Sequence, residues 1–125
     1  MNKAVSTKNA PAAIGPYSQA IRSGSTVYVS GQIPIDPATG KFVSDDVREQ
    51  TRQVLTNVKH ILEAAGMTMG NVVQATVYLA DIADFTAMNE VYAEFFAEPY
   101  PARAAVQVAA LPRGARVEIG VTAAE

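Results

Sequence analysis

The sequence PARAAVQVAALPRGARVEIG, residues 101–120, decides how the rest of the chain must be arranged. Its first half alternates with the two-residue period of a β-strand, so that small apolar residues share one face. The two faces are Ala102, Ala104, Val106 and Val108 on the apolar side and Arg103, Ala105 and Gln107 on the other. After a turn at residues 111–114, a second strand alternates in the same way, with Glu118 on its polar face. The stretch therefore predicts a β-hairpin whose polar face carries Arg103 and Glu118.

Arg103 is an unusual residue for this position, because it stands among alanines in an otherwise apolar strand. Removing a guanidinium from water is costly unless the group meets an anion. The sequence leaves two candidates for the anion that pairs with Arg103. One is the carboxylate of Glu118, and the other is the carboxylate of a ligand bound through two parallel hydrogen bonds. In the second case Glu118 is free to act in acid–base chemistry or to hold water. The residues alone thus predict a small acid-binding site.

Length, composition and charge limit the classes of function. With 125 residues, of which 49% are hydrophobic, the chain predicts one globular domain over residues 1–125. Its net charge of −2 and its scattered basic residues argue against binding to nucleic acid or anionic membranes through phosphate contacts. The absence of cysteine excludes disulfides, thiolate nucleophiles and thiolate metal sites. No apolar run reaches the length of a signal-peptide core or a membrane span, so we expect a cytoplasmic protein.

The clearest helix is predicted at residues 46–65, where apolar residues recur at helical spacing. Asp46, with Glu49 three residues later, can cap its start, and Gly66 ends it. His60, the only histidine, falls on the solvated face of this helix, which leaves no Ser–His–Asp triad and no multi-histidine metal site. We therefore interpret His60 as an exposed helix residue.

A second helix is predicted after a strand at residues 72–80. Asp81 or Asp84 caps its start, and Pro99 and Pro101 end it. Its buried stripe is Phe85, Met88, Val91, Tyr92, Phe95 and Phe96. The helix therefore has a single apolar face to pack against a sheet.

Strands before the first helix are predicted at residues 3–7, weakly at 17–22, and more firmly at 26–33. Gly31 within the last of these indicates a bulge, the close approach of a ligand or backbone, or simply the end of the strand. The element order is therefore βββαβαββ, an α+β fold in which two helices cover one face of five or six strands. The other face, predicted to carry Tyr28, Ser30, Gln32, Arg103, Gln107 and Glu118, is then free to assemble with other copies of the chain.

Several short motifs, taken together, resemble the reactive-intermediate deaminase family, known as RidA or YjgF-like. The resemblance covers the chain from about residue 7 to residue 121. Its motifs are IGPYSQA (14–20), VSGQIP (29–34), LEAAG (62–66), DF followed by Asn89 (84–89), PAR (101–103), LP (111–112) and VEI (117–119). No single motif is specific, but the set is.

The resemblance implies a chorismate-mutase-like α+β fold, with a mixed sheet of five to six strands and two helices on one face. It implies a homotrimeric barrel with sites at the subunit interfaces. Members hydrolyse 2-imino acids such as 2-iminobutanoate and 2-iminopropanoate, and their enamine forms, to 2-oxo acids and ammonia. They need neither a cofactor nor a metal, and the implied partners are the small acid substrate and the other subunits, not a membrane or a nucleic acid.

The family's site residues match positions of this chain one by one. Its carboxylate-binding arginine matches Arg103, and its acidic residue that positions or activates water matches Glu118. Its substrate-lining positions match Tyr17, Ser30, Gly31 and Asn89, with Arg103 and Ala105. Two positions depart from the pattern: Ala105 stands where many members have cysteine, and Gln107 where they have glutamate. The first removes a thiol from the site, and we expect the second to alter packing or subunit contacts.

The sequence leaves other functions open. Related members deaminate other enamine acids, such as 2-aminomuconate, and the sequence does not fix the size of the pocket. Relatives have also been described as translation inhibitors with ribonuclease activity and as chaperone-like proteins. The net charge of −2 weighs against RNA as the main partner.

Overall fold

The computed structural model describes all residues from Met1 to Glu125 and has an α+β architecture. The strands and helices are β1 (Lys3–Val5), β2 (Ala20–Ser23), β3 (Thr26–Gln32), β4 (Ile35–Asp36), β5 (Lys41–Phe42), α1 (Val47–Ala64), β6 (Val72–Leu79), α2 (Phe85–Phe95), β7 (Ala102–Gln107) and β8 (Val117–Ala124). Three single 3₁₀ turns lie at Met69–Asn71, Ile82–Asp84 and Pro112–Gly114. The predicted alternation of strands and helices is confirmed, with one addition, the short ribbon of β4 and β5.

Six strands form a mixed sheet in the order β1-β2-β3-β8-β6-β7, and β4 pairs with β5 in a separate ribbon. All neighbours in the large sheet are antiparallel except β6 and β7, which are parallel. The connection between these two parallel strands runs through α2, as a parallel pair requires a crossover. This crossover places β7 at the outer edge of the sheet.

Helix α1 begins and ends where local signals predict. The side chain of Asp46 accepts a hydrogen bond of 3.0 Å from the backbone N–H of Glu49, which satisfies one of the free donors of the first turn. Gly66 follows the last turn with a φ of 78°, a conformation that favours glycine. His60 is half-buried rather than fully exposed, and its Nδ1 lies 2.9 Å from the backbone oxygen of Asn9.

Helix α2 is one 3₁₀ turn shorter at its start than the pattern suggests. The side chain of Asp81 caps the 3₁₀ turn by accepting a hydrogen bond from the N–H of Ala83, while Asp84, at the start of α2, makes no such bond. Asp84 instead lies 3.7 Å from Arg116 in an ion pair. Two further ion pairs, Arg48–Glu90 and Arg52–Glu94, join the exposed sides of the two helices.

The core lies between the helices and one face of the sheet, as predicted. Alternate residues of β6 and β8 point into it, and these are Ala75, Val77, Leu79, Val117, Ile119, Val121 and Ala123. The helices contribute Val54, Leu55, Val58, Ile61, Leu62, Met88 and Tyr92. Each fully buried valine, leucine, isoleucine or methionine among them stabilises the fold by about 1.5–3 kcal/mol. The opposite face of the sheet is not covered by any element of this chain.

The predicted hairpin over residues 101–120 is wrong. Strand β6 lies between β7 and β8, so the two strands of that stretch are not paired with each other. The alternation of a sequence shows which residues share a face of one strand, but it does not choose the neighbouring strand. Here the crossover through α2 pairs β7 with β6, and β8 fills the place on the other side of β6.

The predicted composition of the open face is corrected at three positions. Arg103 and Gln107 lie opposite Ala75 and Leu79 of β6, on the side that the helices cover. Gln32 is buried, because a bulge between Val29 and Gln32 shifts the alternation of β3 by one residue. Of the predicted open-face residues, Tyr28 and Glu118 lie on that face. Neither helix is long and apolar enough to span a membrane.

Candidate functional site

Arg103 is held against helix α2. Its Nη1 donates a hydrogen bond of 2.6 Å to Oδ1 of Asn89. Its guanidinium carbon lies 4.7 Å from the centre of the Tyr92 ring and 5.5 Å from that of Phe85, within the range of cation–π contacts. The side chain is nevertheless exposed, so the remaining N–H groups are free to bind an anion.

A pocket of about 520 Å³ opens beside this guanidinium. Its lining is Asn89, Tyr92, Ala93, Tyr100, Pro101 and Arg103. Arg103 is the one charged residue of this lining, and two of the six lining residues are tyrosines. The pocket therefore suits a small anion with an apolar part.

The strand that carries Arg103 also offers backbone donors. The N–H of Val108, just after β7, donates to the carbonyl of Leu79 in β6 at 2.9 Å. Backbone groups of successive strand residues point to opposite sides, so the N–H groups of Arg103 and Ala105 point away from β6. Because β7 is the edge strand, that direction is the open edge of the sheet. The side chain of Ala105 itself packs against the core, in register with Val77.

Glu118 lies on the other face of the sheet, packed against Gly31. A Cβ at residue 31 would lie 3.0 Å from Cδ of Glu118 and would collide with its Oε2, so only glycine leaves room for this carboxylate. Glu118 takes part in none of the four ion pairs of the chain. Burial, the sole cause acting on it, raises the pKa of Glu118 above its usual value. A carboxylate with a raised pKa is a better proton acceptor near neutral pH.

Polar side chains surround this carboxylate on the open face. It lies in a shallow pocket of about 270 Å³. The polar members of the lining are Tyr28, Gln74, Thr76, Tyr78, Glu118 and Thr122. Tyr78 is directly opposite Glu118 in the pairing of β6 with β8.

Tyr17 and Ser30 lie near Gly31, the residue that packs against Glu118. Tyr17 is half-exposed and shares a second pocket, of about 270 Å³, with Gly31. The hydroxyl of Ser30 donates a hydrogen bond of 2.6 Å to the carbonyl of Ser18, which joins β3 to the segment that carries Tyr17. The structure thus groups three of the predicted site residues with Glu118, and Asn89 and Ala105 with Arg103.

Gln19 is a residue of this region that the sequence analysis missed. Its side chain is buried and accepts a hydrogen bond of 2.7 Å from the N–H of Thr7. It also donates to the carbonyls of Thr7, Ala10 and Pro11. These bonds fix the loop in front of Tyr17. A glutamine between Ser18 and Ala20 gives no local sign of this role, because its partners lie 8 to 12 residues away.

Arg103 and Glu118 do not meet within one chain. They lie on opposite faces of the sheet and on strands that flank β6. The ion pair that the sequence left open is therefore not formed, and Arg103 contacts an amide and two aromatic rings instead. Its guanidinium has no anionic partner in the chain.

No three His, Cys, Asp or Glu side chains gather anywhere in the structure in a way that could hold a metal ion.

Comparisons with known proteins agree with the resemblance. A family model described as Endoribonuclease L-PSP matches residues 7–125. A RutC family protein of Pyrococcus horikoshii is 56% identical over 119 residues, 95% of this chain and 94% of its own length. A protein of Bos taurus named 2-iminobutanoate/2-iminopropanoate deaminase is 54% identical over the whole of this chain and 91% of its own length. The chain belongs to the RidA/YjgF-like reactive-intermediate deaminase family.

A solved structure of this family gives the same fold. The crystal structure of TdcF from E. coli, described as having bound serine, has a TM-score of 0.93 and 46% identity, and the match covers 98% of each chain. The predicted α+β fold is therefore confirmed as that of the RidA-like family.

Gln107, one of the two departures from the usual RidA-like pattern, has a role within the chain. Its Oε1 accepts a hydrogen bond of 2.8 Å from the N–H of Ile82, in the segment that leads into α2. A carboxylate can accept the same bond, so this contact does not require an amide.

Proposed function

We propose that the chain is a hydrolytic deaminase that converts 2-imino acids and their enamine forms, such as 2-iminobutanoate and 2-iminopropanoate, to 2-oxo acids and ammonia. The observation that carries the proposal is Arg103, a positioned guanidinium without an anionic partner, at the mouth of a small pocket. The relative from Bos taurus bears the name of this activity. We place the reaction in the cytoplasm and assign it no cofactor.

Arg103 binds the carboxylate of the substrate in this proposal. A guanidinium offers two parallel N–H groups that fit a carboxylate, and each charge-assisted bond contributes about 1.5–3 kcal/mol. The N–H of Ala105, at the open edge of β7, is a further donor for the same carboxylate. The role of residue 105 is then carried by its backbone, and alanine serves as well as cysteine.

Glu118 acts as the general acid and base in this proposal, because it accepts a proton from the attacking water and donates it to nitrogen. The water adds to the imine carbon, C2, and one of its protons passes to Glu118, which delivers it to the imine nitrogen and so gives a carbinolamine. Glu118 then takes the proton of the new hydroxyl and passes it to nitrogen as the C–N bond breaks, so that ammonia leaves and C2 becomes a ketone. The sum is one imine and one water giving one ketone and one ammonia. A pKa raised by burial suits a group that must both take and return a proton.

Two chains must contribute to such a site, because Arg103 and Glu118 of one chain lie on opposite faces of the sheet. We propose a homotrimer in which the open faces meet and each site takes Arg103, Asn89 and Ala105 from one subunit. The neighbouring subunit supplies the Glu118 group, with Tyr17, Ser30 and Gly31 lining the substrate. The exposed Tyr28 and Val106 on the open face supply apolar surface for this assembly.

A coupled assay tests the activity. The purified protein is added to a threonine dehydratase, which releases the reactive intermediate, and the formation of 2-oxobutanoate is followed. We expect wild type to accelerate this step, and Arg103→Ala and Glu118→Gln to lose the acceleration. An unchanged rate with wild type, at protein concentrations equal to those of the dehydratase, would reject the proposed activity.

A panel of other enamine acids, including 2-aminomuconate, separates this activity from its nearest alternative. The alternative from another class of function is RNA cleavage, which the net charge of −2 and the scattered basic residues do not favour. The exposed Arg48 and Arg52 are both paired with glutamates. RNA binding that weakens steeply with salt would revive it.

A further inference from the structure

The geometry points to Tyr92 and Phe85 as positioning residues that hold the Arg103 guanidinium ready for a carboxylate. This inference rests on the proposed function of Arg103. Neither aromatic residue belongs to the site residues predicted from the sequence, whose pattern places both only in the buried stripe of α2.

The first observation is how few contacts restrain Arg103. It is an exposed residue of an edge strand, and its neighbour on the same face of β7, Ala105, is too small to pack along a long side chain. Its single hydrogen bond within the chain goes to Asn89. A free arginine side chain has many rotamers, and fixing them costs part of the energy gained on binding.

The second observation is the pair of rings that lie against the guanidinium. They stand 4.7 Å and 5.5 Å from its central carbon, and both belong to α2. Aromatic rings attract a cation through their faces while leaving its N–H groups unused. Tyr92 and Phe85 therefore restrain Arg103 without occupying the donors that the substrate needs.

The third observation concerns the hydroxyl of Tyr92. Tyr92 is only 5% exposed, and its hydroxyl has no hydrogen-bond partner. A buried hydroxyl without a partner does not stabilise the chain. The contribution of Tyr92 to the site is therefore made by its ring, and phenylalanine at this position keeps it. The single substitution Tyr92→Phe therefore distinguishes an effect of the ring from an effect of the hydroxyl.

Four variants test the inference: Tyr92→Leu, Phe85→Leu, Tyr92→Phe and, as a matched control, Phe95→Leu. Phe95 is a half-buried residue of the same helix that packs against the core, and its ring makes no cation–π contact with Arg103. The Phe95→Leu variant therefore shows how the loss of an aromatic ring from α2 affects the stability of the fold without removing a ring that contacts Arg103. Circular dichroism and thermal unfolding show which variants are folded.

The deaminase assay gives the first readout. We expect KM to rise about tenfold in Tyr92→Leu, the size of effect for a partly desolvated cation–π contact. Phe85→Leu, with the longer distance, shows a smaller rise. The value of kcat falls less than KM rises, because Arg103 binds the carboxylate alike in the ground and transition states. Tyr92→Phe restores KM to near the wild-type value.

Two results overturn the inference. One is a KM in folded Tyr92→Leu and Phe85→Leu that equals the KM of Phe95→Leu. The other is a Tyr92→Phe variant as impaired as Tyr92→Leu, which assigns the effect to the hydroxyl. If Tyr92→Leu does not fold, Phe85→Leu and Tyr92→Phe still decide the question.

Titration with 2-oxobutanoate, followed by calorimetry or NMR, keeps the inference separate from the proposed activity. If wild type fails in the deaminase assay but binds this acid, the proposed activity is rejected and the inference is still tested by the Kd for the acid. We then expect Kd to rise most in Tyr92→Leu, less in Phe85→Leu, and to stay near the wild-type value in Tyr92→Phe. If wild type does not bind the acid at all, the inference fails with the role of Arg103.

Discussion

Gly31 and Glu118 fit together because residue 31 has no side chain: a Cβ there would lie 3.0 Å from Cδ and 3.2 Å from Cγ of Glu118. We therefore expect Gly31→Ala to displace the Glu118 carboxylate and to lower kcat, by roughly 10- to 100-fold for a misplaced acid–base group. The displaced group is the end of a flexible side chain, so the free energy of unfolding changes by no more than about 1 kcal/mol. Steady-state kinetics and urea unfolding measure the two effects.

Gly120→Ala is the control for that substitution. Gly120 lies on the same face, but an added Cβ meets its nearest atom, the carbonyl oxygen of Val29, at an ordinary contact distance of 3.5 Å. We expect its kcat to stay near that of wild type, provided that sedimentation shows the same oligomeric state. Equal losses of kcat in the two variants would mean that Gly31 matters for reasons other than the room it leaves.

Burial of Glu118 also predicts a pH dependence of stability. Its pKa is raised in the folded chain, so the unfolded chain loses this proton first as the pH rises. The contribution of Glu118 to stability is therefore complete below the unfolded pKa and falls as the pH rises towards the folded pKa. Wild type should lose stability relative to Glu118→Gln over the range from the ordinary glutamate pKa, 4.5, upward. Urea unfolding of both proteins at several pH values measures this difference, and a difference that does not vary with pH contradicts the assignment.

The same shift predicts the acid limb of the activity. Glu118 must be ionised to take a proton from water, so activity rises with pH through its raised pKa. The midpoint of kcat/KM on the acid side should lie above the ordinary value of 4.5. A midpoint at or below that value would mean that another group controls this limb.

Arg103→Lys tests the geometry of the cation rather than its charge. Lysine keeps the charge, but it loses the two parallel N–H groups and the flat contact with the aromatic rings. We expect kcat/KM to fall by roughly 10- to 100-fold, the equivalent of losing one charge-assisted hydrogen bond. A lysine variant with wild-type kcat/KM would show that charge alone is sufficient and would remove the need for a bidentate carboxylate contact.

Gln107 gives a stability prediction that is independent of the site. Its Oε1 accepts a bond from the N–H of Ile82, so Gln107→Ala should lower the free energy of unfolding by about 0.5–1.5 kcal/mol. Gln107→Glu keeps the acceptor and should stay close to wild type. Urea unfolding of the three proteins decides the matter: if the glutamate variant is as unstable as the alanine variant, the bond to Ile82 is not what Gln107 contributes.

The helices and the positions of the strands were predictable because their signals are local. A helical period, a capping pair such as Asp46 and Glu49, and a terminal Gly66 all act within a few residues of the element that they define. The same holds for the alternation that marks β7 and β8. Arg103 and Glu118 were recognisable for a similar reason, since each is a charged residue within an apolar strand.

The relation between these two residues was not predictable, because it depends on which strands become neighbours. Because β6 lies between β7 and β8, Arg103 and Glu118 lie on opposite faces of the sheet, whereas the predicted hairpin put them on one polar face. The bulge between Val29 and Gln32, one of the three interpretations of Gly31 in the sequence, adds one residue to β3 and buries Gln32, and the alternation of the sequence does not choose among those interpretations. The contact of Tyr92 with Arg103 likewise joins residues of different elements, which no pattern within either element reveals.

The proposed site takes Arg103 from one chain and Glu118 from another. The most direct test is to unfold and refold Arg103→Ala and Glu118→Gln together in equal amounts and to measure the deaminase activity of the mixture. Each variant alone has no intact site. In random mixed rings about one quarter of the neighbouring pairs join an intact Arg103 to an intact Glu118, so we predict about one quarter of wild-type activity. A mixture as inactive as its two components would show that Arg103 and Glu118 do not act together across a subunit interface.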